Sequence, residues 1–83
     1  MAHILLVDDD QGFTSATQTL LAAESHQVET AASLEEARKV LGAGGFDLMF
    51  VDLSLPDGSG LELIGENSPK AVIITGHPSI ETA

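Results

Sequence analysis

Ile4-Leu5-Leu6-Val7-Asp8-Asp9-Asp10 and Leu48-Met49-Phe50-Val51-Asp52 are two apolar runs that each break into acid. A short continuous apolar run is the pattern of a strand buried on both faces of a parallel sheet. If these two strands are neighbours in one sheet, their carboxyl ends coincide. Asp8, Asp9 and Asp52 then converge in the crevice where open α/β sheets place ligands. Such a cluster is unfavourable when bare, because unit negative charges about 4 Å apart repel by roughly 4 kcal/mol at an effective dielectric near 20. It calls for compensation, either a proton retained on a carboxyl of raised pKa or a hard divalent cation among the oxygens.

The chain between and beyond these runs alternates strand with helix. Phe13, Ala16, Leu20 and Ala23 recur at helical spacing and predict a first helix over about Gln11 to Glu24, whose first turn any of the preceding Asp residues could cap, Asp10 being read as a cap rather than a ligand. Val28 and Thr30 give Gln27 to Ala31 strand character. Ser33 followed by Glu36 is a capping-box signature opening a second helix, whose stripe of Leu34, Ala37, Val40 and Leu41 ends at Gly42, Gly44 and Gly45. The third strand is expected over Phe46 to Leu53, followed by a turn at Leu55-Pro56-Asp57-Gly58 in which Asp57 is a turn residue. Gly60 to Ile64 has room for only a short third helix. Ala71 to Thr75 is a fourth, β-branched strand, after which Gly76-His77-Pro78 leads toward a fourth helix. A βαβαβαβ order implies a parallel sheet with right-handed crossovers and strand order 2-1-3-4, which puts the ends of the first and third strands side by side.

Composition narrows the function classes. With 83 residues the chain is one domain, and its formal charge of −10 argues against a nucleic-acid surface, which needs cations to neutralise phosphates. It has no cysteine, hence neither a disulfide framework nor a thiolate metal site. The apolar runs are too short to span a bilayer, and the start lacks the basic segment of a secretory signal, so a cytoplasmic location without membrane contact is expected. His3, His26 and His77 are too scattered for a zinc site, and Phe13, Phe46, Met1 and Met49 read as core.

Leu6-Val7-Asp8-Asp9, Asp47-Leu48 through Asp52, Leu55-Pro56-Asp57-Gly58-Ser59-Gly60 and Ile74-Thr75-Gly76 together resemble the receiver domain of two-component response regulators. The resemblance implies a three-layer, flavodoxin-like (CheY-like) α/β fold. It also implies that Asp52 accepts a phosphoryl group from a histidine kinase. Mg2+ would be held by Asp9, Asp52 and the backbone carbonyl of Ser54, with Asp8 acting through a metal-bound water. This chemistry is sound, because a carboxylate is a weak nucleophile that needs a cation to neutralise the transferring oxygens. Thr75 matches the family's switch hydroxyl, and Ser54 and His77 fall where family side chains tune the lifetime of the aspartyl phosphate.

Two features depart from the family. The stretch from Gly60 to Ala71 is short for a third helix, and the family's fifth strand, its Lys and its last helix have no counterpart, so the sheet is expected to be truncated. Residues 1–83 therefore read as the portion of a receiver from the first strand to the start of the fourth helix. The output domain, which could be DNA-binding, would lie outside it. An exposed apolar fourth strand leads us to expect self-association, including a homodimer. Two other functions compete. An interaction module could keep an unused acidic pocket. A haloacid-dehalogenase-type phosphatase would require an Asp two residues after the nucleophile, where Ser54 stands.

Overall fold

The structure is a computed structural model in which residues 1–74 are described. Four parallel strands, β1 (His3–Val7), β2 (Gln27–Ala31), β3 (Leu48–Asp52) and, late in the chain, β6 (Lys70–Ile74), form one sheet in the order β2-β1-β3-β6. This is the 2-1-3-4 order expected from the sequence. Strand β1 is central, with Val7 opposite Ala31 on one side and Val51 on the other. Between β3 and β6 lie a small antiparallel pair, β4 (Ser54–Leu55) and β5 (Gly58–Ser59), and a 3-10 turn over Gly60–Leu63. That single turn is all that replaces a third helix.

Helices α1 (Gln11–Ala23) and α2 (Leu34–Leu41) cover opposite faces of the sheet. Side chains alternate along a strand, so Leu5 and Val7 of β1 share one face with Met49 and Val51 of β3. These four are fully buried and pack with Leu34 and Ala37 of α2, Ala31, Leu55 and Leu63. On the other face Ile4 and Leu6 are buried as well, whereas Phe50 is half-buried and Val72 exposed.

Helix α1 is turned by one residue from its expected face. Leu20 is 68% exposed and Phe13 38%, while Thr14 is buried and Thr17, Gln18 and Leu21 are half-buried. The inward stripe is thus 14, 17, 18 and 21, and one residue is about 100° of rotation. Polar atoms on that stripe are satisfied locally: the Thr14 hydroxyl donates to the carbonyls of Asp10 and Gln11, and Gln18 Nε2 donates to the carbonyl of Val28 at 3.1 Å. Hydropathy points to the wrong stripe because it scores Thr and Gln as outward residues. Met1, expected in the core, is 89% exposed, whereas Met49 is core as expected.

The helix ends follow capping chemistry. The carboxylate of Asp10 accepts from Phe13 N at 3.0 Å, and Ser33 Oγ accepts from Glu36 N at 3.1 Å. Glu36 reaches back to Ala32 N at 2.7 Å, one residue before the cap. Helix α1 ends in a Schellman pattern, with His26 N donating to Leu21 O and Ser25 N to Ala22 O. Ser25 carries the positive φ of 73° that glycine usually fills there.

At the amino end of the sheet a set of complementary groups closes the fold. His3 Nδ1 meets Gly45 O at 3.0 Å and Nε2 meets a carboxylate oxygen of Glu29 at 2.9 Å. Both partners are acceptors, so the protonated ring, with both nitrogens donating, is the form this geometry favours. The Glu29 bond holds the His3 pKa above its ordinary value, with Gly45 O and the charge of Asp47 adding to the rise. Phe46 falls outside β3 and stacks on this ring, with centroids 4.1 Å apart. Asp47 accepts from His3 N, and His26 Nδ1 from Ala2 N. Both histidines therefore serve the structure.

Candidate functional site

The acidic cluster expected from the sequence forms at the opposite, carboxyl end. Because Val7 pairs with Val51, the next residues along the two strands, Asp8 and Asp52, lie side by side. They are 3% and 5% exposed, and Asp9 projects into solvent beside them. One carboxylate oxygen from each of the three lies within 4.8 Å of the others. Each buried acid is held by a backbone N–H two residues on, Asp8 Oδ1 by Asp10 N at 3.0 Å and Asp52 Oδ1 by Ser54 N at 3.1 Å. One oxygen of each is thus oriented by the chain, and the rest of its acceptor capacity is open to a ligand.

The electrostatics are those of an uncompensated site. Burial pushes the Asp8 carboxyl above its ordinary range, the Asp10 N–H opposes that rise, and the nearby charges of Asp52 and Asp9 add to it. The chain's three Lys and Arg side chains are engaged or placed elsewhere. Arg38 pairs with Glu62, Lys39 with Glu35, and Lys70 opens β6 opposite Leu48 at the other end of the sheet. Three converging carboxylates that no Lys or Arg side chain reaches are a donor set for a hard, oxygen-seeking divalent ion. The residues fit such an ion in number, charge and spacing.

Among the other residues singled out in the sequence, Asp10 is a helix cap. Ser54 is exposed in β4 and touches the cluster through its N–H. Thr75 and His77 lie outside the described residues. Asp57, read as a turn residue, does more. Its carboxylate accepts from Leu34 N at 2.8 Å and Glu35 N at 3.1 Å, capping α2 from 23 and 22 positions along the chain. The Leu34 N–H holds its pKa below the usual carboxylate value, with the Glu35 N–H also contributing. Nothing local in the sequence signals that contact, because the helix already has its own cap in Ser33.

A parallel sheet in this order, with an acid trio at the carboxyl ends of its two central strands, defines a receiver-type phosphorylation fold, and the chain belongs to the response regulator receiver domain family. The sequence profile of that family matches residues 4–83. Among curated proteins the chain is 35% identical over 86 residues to the alginate biosynthesis transcriptional regulatory protein AlgB of Pseudomonas aeruginosa, covering 98% of this chain and 19% of that protein. The chain thus spans about a fifth of the length of such relatives. Among solved structures, a Burkholderia pseudomallei response regulator with a phosphorylated aspartic acid, calcium ion and citrate superposes with a TM-score of 0.84 at 32% identity, covering 100% of this chain and 52% of that one. The Thermotoga maritima response regulator TrrA, in complex with Mg2+ and BeF, gives 0.83 at 30%, covering 99% and 76%. Family membership favours a signalling role over the phosphatase reading. No helix among the described residues is long and apolar enough to cross a membrane.

Proposed function

We propose that this chain is a phosphoacceptor switch in which Asp52 takes a phosphoryl group from a histidine kinase in a Mg2+-dependent reaction. The observation that carries the reading is the convergence of Asp8, Asp9 and Asp52 within 4.8 Å at the carboxyl end of β1 and β3. Asp9, Asp52 and the Ser54 carbonyl would hold Mg2+ directly, with Asp8 supporting through a water. When bound, the ion neutralises charge on the phosphoryl oxygens. The free oxygen of Asp52 attacks phosphorus, the bond from phosphorus to the donor nitrogen breaks, and the imidazole leaves with its electron pair. Ser54 N–H keeps the other Asp52 oxygen fixed meanwhile. The relatives crystallised with a phosphorylated aspartic acid and with Mg2+ and BeF support this chemistry.

Thr75 is assigned the switch hydroxyl, drawn toward a group that adds roughly −1.5 to −2 charge. Ser54 and His77 are assigned the tuning of its lifetime. The 1–83 stretch is read as the leading part of a receiver acting in the cytoplasm on an output domain elsewhere in a longer protein, in line with the length of its relatives. Homodimerisation is part of this proposal. Acetyl phosphate, an acyl phosphate that can stand in for the kinase, provides the test. Intact-mass spectrometry is expected to show one phosphoryl adduct with Mg2+, none with chelator, and none in Asp52→Asn. An adduct that persists in Asp52→Asn, or its absence from the wild type with Mg2+, overturns the reading.

A further inference from the structure

The loop that follows Asp52 is a small hydrogen-bonded hairpin. Ser54 pairs with Ser59 and Leu55 with Gly58 across a two-residue turn of Pro56 and Asp57, and Gly60 N closes the base on Leu53 O at 3.1 Å. Gly60 leaves no room for a side chain, since a Cβ there would overlap the Asp52 carbonyl and a Val51 methyl. One end of this hairpin, Ser54 N–H, orients the Asp52 carboxylate. Its tip, Asp57, is bound to two backbone N–H groups in the first turn of α2. Leu34 also presses on the hairpin, because its Cδ1 would be 2.7 Å from a Cβ at Gly58, where φ is +147°.

We propose that Asp57 is a positioning residue for the acidic site: by fastening the hairpin tip to the start of α2 it fixes where Ser54 stands, and through Ser54 the orientation of Asp52. This rests on the reading of Asp52 as phosphoacceptor, and it adds that α2 is mechanically part of the site. The carboxylate suits this task, since it accepts two N–H groups at once where an amide oxygen accepts them less strongly, and the helix amino end favours its charge.

Ser33 provides the control. It caps the same turn of α2 through Glu36 N and makes no hydrogen bond to the hairpin, so Ser33→Ala weakens the helix end while leaving the Asp57 bonds in place. Three readouts apply to the wild type, Asp57→Ala, Asp57→Asn and Ser33→Ala: amide hydrogen exchange at Ser54, Mg2+ affinity by calorimetry, and the rate of phosphoryl uptake from acetyl phosphate. Asp57→Ala is expected to speed Ser54 exchange and to lower Mg2+ affinity and uptake by about tenfold. Asp57→Asn should recover part of each, and Ser33→Ala should leave all three within about twofold. If Asp57→Ala matches Ser33→Ala, or if it is unfolded and Asp57→Asn matches Ser33→Ala, the assignment is overturned. Failure of the wild type to take up phosphate, with Ser54 exchange still governed by Asp57, rejects the phosphoacceptor reading and leaves the tether standing.

Discussion

The two ends of the sheet treat charge in opposite ways. At the amino end the His3 ring sits between a carboxylate and a carbonyl, stacked on Phe46, and every partner complements the next. At the carboxyl end three carboxylates crowd together, and among the described residues no cationic side chain answers them. The same strands carry both arrangements, so the difference belongs to purpose rather than to fold. The amino end spends its polar groups on closing β1 against β2 and the loop before β3. The carboxyl end holds crowded charge that a proton or a bound cation relieves.

That contrast gives neutralising an acid opposite consequences at the two ends. The largest effect expected is on metal affinity: Asp9→Asn should weaken Mg2+ binding about a hundredfold, close to 2.7 kcal/mol, while Glu29→Gln leaves it unchanged by calorimetry. Equal losses would break the comparison. Next in size, Asp8→Asn should stabilise the metal-free protein by about 1 kcal/mol in urea unfolding, because it removes a buried, crowded charge. The sign with pH follows: with its folded pKa raised, Asp8 binds more protons in the native state, so its contribution to stability falls as pH rises from the ordinary carboxyl range through the folded value. Saturating Mg2+ should reverse the order of wild type and Asp8→Asn.

Ser25→Gly, at the turn that leads into the amino end, should raise stability by up to about 1 kcal/mol through relief of a positive φ, with no change in Mg2+ affinity. The smallest effect is the titration of His3. Its folded pKa is raised, so the clamp with Glu29 contributes fully below the ordinary histidine value and is lost as pH rises through the folded one. Unfolding curves across that range should show the loss in the wild type and a smaller one in Glu29→Gln.

Much of this was readable in the chain, and the rest had a physical reason to stay hidden. Runs that end in Asp marked both central strands and the site, because a carboxylate after an apolar strand has no packing rationale. The Ser33 and Glu36 spacing marked α2 because capping is a local interaction. The sheet-facing side of α1 was hidden, since Thr14 and Gln18 satisfy their polar atoms on nearby carbonyls and so pass for surface residues. Phe13 was assigned to the core by hydropathy and lies on the neighbouring stripe. Asp57 and His3 were hidden for a different reason: their partners are distant in sequence, and no pattern of spacing reports a contact across 23 or 26 positions.

The central place of β1 has a consequence for the order in which the molecule is made. Among the four strands of the sheet it is synthesised first, and both of its neighbours come later in the chain. Asp8 and Asp9 are therefore synthesised well before Asp52, and they meet it only when β3 docks alongside β1. Under the proposed function, competence to hold a divalent ion reports that docking event. Metal uptake during refolding would time the closing of the sheet's centre, as a clock built from the site itself.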